Sequence, residues 1–437
     1  MLYYPVGGGV REITEGFESG DAPANGWVQA AGSSLRANTG SINKDTSLNG
    51  GLWALTAATN ARLTSPVFPS GPIREGWVRV YAQQSATNSW AVVLQDGGTD
   101  QVTVVMQGAS LTIEIRRGAV AGTLLATSGG TIVSGSWHRI DINFYIDDAA
   151  GFIKVYVDDP GTYTTPFVQA TGVDTNNAGA NRCDRFSLLQ PTGSAARYDD
   201  VGVNSLSLSY DAGSGTTPTP LPATITGGTS GATAIVTALG PGTTVAAGRL
   251  IVRGVTGTFV DNETITGGGL TASVNAPNGT YVGGLEPNSG PLGPGFIVYL
   301  TPNANGTLSQ LLGTDSNQVD NYLLVDDNPI DALTDGVVGD TDGETDLYGL
   351  SDLPASAQSV NFVQVGAYAF KDGVAINKLN AAIRTGGTTY QSAPEFDANV
   401  AASAAMYKFP FPLNPNTGGQ WTVSEVNAIE AGPRVKA

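Results

Sequence analysis

Histidine and cysteine occur once each in this chain, as His138 and Cys183, and methionine only three times. One cysteine excludes an intrachain disulfide and any thiolate metal cluster. One histidine leaves a single imidazole for any His-dependent triad. Cations are scarce as well: 21 Lys and Arg stand against 38 Asp and Glu, a net charge of −17. Such a surface repels phosphate, which argues against nucleic-acid binding. Charged residues in total make up 14% of the chain, against about 25% in an ordinary domain. No apolar run approaches the roughly 20 residues of a membrane helix. The opening residues, Met1-Leu-Tyr-Tyr-Pro-Val6, lack the basic and apolar regions of an export signal. These absences predict a chain that folds in a reducing cytoplasm and is not inserted into a membrane.

Glycine is abundant, at 58 of 437 residues, and hydrophobic residues reach 41%. With Thr, Ser, Asn and Val prominent and Lys, Glu and Met scarce, this composition favours strands and tight turns over helices. The length suits two to four domains. Two Gly/Pro-rich stretches, residues 211–222 and 276–295, read as linkers. They predict an all-β, multidomain chain: a β-sandwich over 1–210, a small Gly/Thr-rich β module over 223–275, and a β-sandwich closed by a short helix over 296–437.

The first segment alternates with period two. Trp77-Val-Arg-Val-Tyr81 puts Trp77, Arg79 and Tyr81 on one face, with Val78 and Val80 on the other. In His138-Arg-Ile-Asp-Ile-Asn-Phe-Tyr-Ile146, the residues Ile140, Ile142 and Phe144 face inward. So many short strands imply two packed sheets, a jelly roll. Ser136-Trp-His-Arg-Ile-Asp-Ile142, a turn, and Ile153-Lys-Val-Tyr-Val-Asp158 resemble the hairpin of laminin-G and concanavalin-A-like domains. Glu15-Gly-Phe-Glu-Ser19 and Tyr198-Asp-Asp-Val-Gly-Val203 match that fold's first and last strands, so the resemblance spans about residues 11–209.

An internal repeat marks the second segment: Ile225-Thr-Gly-Gly-Thr-Ser-Gly-Ala-Thr-Ala-Ile-Val236 returns as Ile265-Thr-Gly-Gly-Gly-Leu-Thr-Ala-Ser-Val274. This resembles a small β module of tailed-phage virion and tail proteins. The third segment carries Tyr322-Leu-Leu-Val-Asp-Asp327, Ala381-Ala-Ile-Arg-Thr-Gly-Gly-Thr-Thr-Tyr390 and Trp421-Thr-Val-Ser-Glu-Val-Asn-Ala-Ile-Glu-Ala-Gly432. That order resembles the C-terminal domain of phage virion proteins. The last stretch predicts a helix of up to about 11 residues: Thr422 and Glu425 form a capping box, Trp421 and Val426 a hydrophobic staple, and Gly432-Pro433 a stop.

Glycoside hydrolysis is the sharpest enzymatic reading, because some concanavalin-like sandwiches are glucanases. A retaining glucanase needs two carboxyls about 5–5.5 Å apart. On the strand Asp141-Ile-Asn-Phe-Tyr145, Asp141 shares its face with Asn143, which is no carboxylate. Asp141 and Asn143 therefore read as solvent-facing polar positions, and the chain as no enzyme. His138 reads as structural. Cys183 reads as a packing residue, although Arg182 and Arg185 are placed to lower its pKa. Asp340-Thr-Asp-Gly-Glu-Thr-Asp346 sets Asp340, Asp342, Glu344 and Asp346 at alternate positions, a donor set suited to a structural Ca²⁺. It lacks the EF-hand spacing. Asp147, Asp148, Asp158 and Asp159 are further oxygen donors at the sandwich rim. No other cofactor is implied. Trp53, Trp77, Tyr81 and Trp90 are the candidate glycan-stacking residues.

The resemblances imply a structural component of a tailed-phage virion, tail-associated or decorating the head, assembled in the host cytoplasm. Its expected partners are other virion proteins, further copies of itself as a homo-oligomer, and host-surface glycan. The alternatives are a carbohydrate-binding adhesin and a polysaccharide depolymerase.

Overall fold

In the computed structural model, residues 2–3, 10–15, 28–29, 33–37 and 53–57 are described as strands alone. From residue 62 the description covers the chain except 69–71, 85–88, 161–162, 192–195, 240–242, 276–296, 327–334, 356, 358–359, 361, 372–377, 393–396, 403 and 412. The architecture is all-β with several sheets, as composition and alternation predict.

The N-terminal part is a jelly roll of two antiparallel sheets. One runs in the order Val168–Val173, Gly151–Val157, Trp137–Tyr145, Glu75–Gln84, Ala196–Ser205, Trp53–Ala57, Ser33–Ala37, with Val10–Glu15 also paired to Ala196–Ser205. The other runs Thr123–Thr127, Thr112–Arg117, Thr99–Gln107, Trp90–Asp96, Arg185–Leu189, Arg62–Thr64, Val28–Gln29. Alternate residues fill the space between them. Val78, Val80, Ile140, Ile142, Phe144 and Val155 from the first sheet meet Val92, Leu94, Val104, Ile113 and Leu188 from the second. The register pairs Ile140 with Val80 and Val157, which keeps the apolar set of three strands on one face.

A closed six-stranded barrel follows: Ser207–Gly215, Gly248–Thr256, Thr233–Leu239, Ala223–Gly227, Thr264–Gly267, Leu270–Val274, and back to the first. The repeated segments supply its hairpins and its core, with Ile225, Ala234, Val236, Ile265, Ala272 and Val274 inside. Gly268 and Gly269 turn between two of its strands at φ of 60° and 91°, values that a residue with a Cβ reaches only with strain. The first barrel strand continues to Gly215, into the stretch expected to be a linker. Residues 211–215 are the bulged half of that strand, with the register shift lying between Asp211 and Ser214. Their small side chains suit a tight barrel wall as well as they suit a loop.

The barrel is fastened to the jelly roll. Ala196–Ser205 runs through Leu206 directly into Ser207–Gly215, and Val252 N donates to Leu206 O at 2.9 Å. Ile251 joins the jelly-roll core. Gly254 N donates to Glu75 Oε2 at 3.1 Å, and the Arg253 guanidinium lies 4.8 Å above the Tyr145 ring.

The C-terminal part is a two-sheet sandwich. A four-stranded sheet runs Ile297–Val298, Leu2–Tyr3, Phe362–Ala369, Ala405–Phe411. A six-stranded sheet carries Pro302–Ser309, Asp346–Leu350, Glu430–Lys436, Lys378–Thr385 and Thr388–Gln391, with Ala398–Asn399 beside Lys378–Thr385. Val363, Phe409 and Phe411 pack against Ala381, Ile383 and Ala431 between the sheets. The strand Leu2–Tyr3 thus completes the module at the other end of the chain.

The capping box of Thr422 and Glu425 is formed, and Trp421 and Val426 are buried together. The helix is a single turn, Val423–Val426, and Glu430–Lys436 is a strand through Gly432-Pro433. The predicted longer helix is corrected. Ala431 and Val435 alternate into the core, and pairing with Lys378–Thr385 on one side and Asp346–Leu350 on the other outweighs local helix propensity.

Candidate functional site

The outer face of the eight-stranded sheet carries the polar alternates of the core residues. Trp77, Arg79 and Tyr81 stand beside Arg139, Asp141 and Asn143, with Lys154 and Tyr156 on the next strand. Asp141 lies opposite Arg79, and Arg139 opposite Tyr81.

Asp141 is fully buried, which corrects its expected exposure. Its Oδ2 accepts from Arg139 Nε at 2.7 Å and from the Tyr163 hydroxyl at 3.1 Å. Its Oδ1 has no hydrogen-bond partner among the described residues. Burial pushes the Asp141 carboxyl above its ordinary range, against the opposing fields of Arg139 and Arg79. Around it, Trp77 stacks on Tyr156 at 5.8 Å with 29° between planes. Tyr163 meets both rings edge-on, at 5.3 and 5.2 Å. The Arg79 guanidinium lies over the Tyr81 ring at 5.4 Å. Trp77, Tyr81 and Tyr163 are half-buried. Aromatic faces of this kind stack on the apolar face of a sugar, and carboxylate and guanidinium groups bind hydroxyls.

Of the four predicted stacking residues, the structure brings Trp77 and Tyr81 onto this face. Trp90 lies in the core between the sheets, fully buried, so its assignment as a ligand residue is corrected. Its strand puts positions 90, 92 and 94 inward. Trp53 belongs to a strand whose side chains lie outside the described residues. Tyr156 and Tyr163 were missed. Alternation from Ile153 and Val155 places Tyr156 outward, whereas nothing in the sequence around Tyr163 signals its position.

A second carboxylate was missed as well. Asp199, buried, pairs across the ladder with Tyr81 and so shares the outer face with Asp141. Reading carboxylates along one strand overlooks those that a neighbouring strand brings to the same face.

The predicted calcium ligands do not converge. Among the described residues no group of three or more His, Cys, Asp or Glu is placed to hold a metal, which corrects that expectation. Asp346 is buried and receives Gln310 N at 2.6 Å, Leu311 N at 2.8 Å, Asn321 Nδ2 at 2.7 Å and the Tyr348 hydroxyl at 2.9 Å. Glu344 accepts from Asp340 N and Thr341 N, and Asp342 from Ala437 N. These carboxylates tie loop backbone. At the sandwich rim, Asp147 accepts from Ala149 N and Ala150 N, and Asp158 from Arg139 N. His138 bridges Asp158 at 2.6 Å and Val133 O at 2.9 Å. Cys183 is buried, and burial pushes its thiol up. Arg182 and Arg185 pair with Asp96 and Asp184 instead of activating it.

No family model and no curated protein matches the chain. Solved structures match part of the chain at low identity. A Bacillus subtilis protein of unknown function with a galectin-like fold is 12% identical, with a TM-score of 0.31, over 46% of this chain and 98% of that one. A Caenorhabditis elegans galectin is 7% identical, with a TM-score of 0.24, over 32% and 89%. A Bacillus licheniformis β-glucanase is 12% identical, with a TM-score of 0.26, over 45% and 98%. The jelly roll of this chain rests on its own strand order. The expectation of no enzymatic activity is corrected: the matched structures include proteins described as glycosyl hydrolases and a lichenase, and Asp199 stands on the same face as Asp141.

Proposed function

We propose that this chain binds carbohydrate through the outer face of its eight-stranded sheet, as a homo-oligomeric component of a tailed-phage virion that contacts host-surface glycan. The observation that carries the binding reading is the Trp77–Tyr156–Tyr163 cluster set against Asp141, Arg139 and Arg79. It joins aromatic faces, those of Trp77 and Tyr163 half-buried, to a carboxyl with an unused acceptor, the combination that orients a polyhydroxylated ring. Support for the particle comes from the sequence patterns of residues 223–275 and 296–437.

A glycan array with the purified chain tests binding. A set of related glycans retained by the wild type and lost by Trp77→Ala supports the reading, and no binding above background ends it. Reducing-end release from a retained glycan, compared between wild type, Asp141→Asn and Asp199→Asn, reads whether the bound sugar is also cleaved. Immunogold labelling of intact particles tests the virion placement independently.

A further inference from the structure

The C-terminal module carries a surface that its own fold leaves uncovered. Leu312 and Val338 pair across a two-stranded ribbon, and each is 49% exposed. On the other side of the ribbon Leu311 is buried, and a side chain at Gly339 would strike Leu311 and Val435. The ribbon therefore packs one face inward and presents Leu312 and Val338 outward. The adjoining turn and 3-10 helix, Asn321–Leu324, add Val319 at 66% and Leu323 at 53% exposure. Exposed large aliphatic residues gathered on neighbouring elements mark an interaction surface more often than single scattered ones do.

Its surroundings are acidic. Residues 254–370 contain fourteen Asp and Glu and no Lys, Arg or His. Asp315 and Asp320, both exposed, accept from the amides of Asn317 and Asn305. Asp340, also exposed, follows the ribbon. Arg434 supplies a cation at the Asp340–Glu344 loop, where its guanidinium lies by Gly343.

We infer that the face formed by Leu312, Val338, Val319 and Leu323 docks a partner protein segment in which apolar side chains are flanked by Lys or Arg. Charge complementarity selects this occupant. A second copy meeting the face about a two-fold axis would set the Asp315 and Asp320 rim against itself. Nucleic acid and anionic lipid are repelled by the same carboxylates.

The test uses the full chain and three synthetic 14-residue peptides, alternating Lys/Leu, Lys/Ser and Glu/Leu. The expected result is that the Lys/Leu peptide alone protects residues 310–324 and 336–339 in hydrogen exchange. Its affinity should fall about tenfold or more in Leu312→Ser/Val338→Ser, and again at high salt. Both positions are exposed, so circular dichroism of that variant should match the wild type. Equal binding of the Lys/Ser peptide would show attraction without docking and overturn the inference. So would equal binding of the Glu/Leu peptide, absence of protection, or a concentration-dependent dimer in sedimentation that the double substitution abolishes.

Discussion

Gly254 N donates to Glu75 Oε2 across 179 residues of sequence, and the carboxylate so engaged is held half-buried at the junction of jelly roll and barrel. Burial raises the Glu75 carboxyl above its ordinary range, opposed by the Gly254 hydrogen bond and by Arg253 and Lys154. The folded state therefore keeps a proton on Glu75 at pH values where the unfolded chain has released it. The stability this contributes is present below the unfolded pKa and is lost as pH rises through the folded one. Thermal melts of wild type and Glu75→Gln as a function of pH should diverge through that window, the wild type losing stability relative to the variant as pH rises. Parallel curves would refute the assignment.

His138 gives the same sign from a different cause. The hydrogen bond to Asp158 raises its imidazole, burial opposes this, and Val133 O adds to the raise. The stabilisation is complete below the unfolded pKa and disappears as pH rises through the raised folded one, above the ordinary imidazole range. Because the chain has one histidine, a single imidazole resonance reports it. Asp158→Asn should move that titration down.

Removing the Asp141 carboxylate leaves the Arg139 guanidinium buried without its ion-pair partner. Asp141→Ala should destabilise the jelly roll by about 3–5 kcal/mol, measured by urea unfolding. Asp141→Asn, which keeps shape and one acceptor, should cost less.

Trp77 and Trp90 separate binding from packing. Trp90→Ala opens a cavity in a fully buried core site and should cost about 3–5 kcal/mol of stability. Trp77→Ala, at a half-buried outer position, should leave the unfolding midpoint nearly unchanged while weakening glycan retention by about tenfold, a loss of about 1.4 kcal/mol. Equal losses of stability in the two variants would remove Trp77 from the proposed site.

Asp346 holds four donors, two of them backbone amides. Asp346→Ala strands buried N–H groups at about 1–3 kcal/mol each. It should lower the melting temperature of the C-terminal module well beyond the effect of Tyr348→Phe, which removes one of the four.

Sequence made the inward residues legible: Ile140, Ile142 and Phe144 are where period-two alternation puts them. The Thr422–Glu425 capping box was equally legible, because its partners lie three residues apart. What failed depends on partners far away in the chain. Pro433 looks like a helix stop until Lys378–Thr385 is beside it. Asp141 looks solvent-facing until Tyr163 and Arg139 close over it. Asp340, Asp342, Glu344 and Asp346 share a spacing but not a destination: Asp342, Glu344 and Asp346 bind different stretches of backbone, and Asp340 accepts from the Thr341 hydroxyl. That Asp141 and Asp199 share one face, on either side of Glu75–Gln84, follows from the order of strands in the sheet, which local pattern does not encode.

Leu2–Tyr3 lies between Ile297–Val298 and Phe362–Ala369. During synthesis this strand leaves the ribosome long before either of its neighbours. The jelly roll and barrel can fold in that interval, so the C-terminal sandwich closes last, and only after a long-range contact has formed. Once closed, a pull on the jelly roll reaches this sandwich along two chain connections instead of one. Opening it by traction then requires shearing a central strand from both of its ladders.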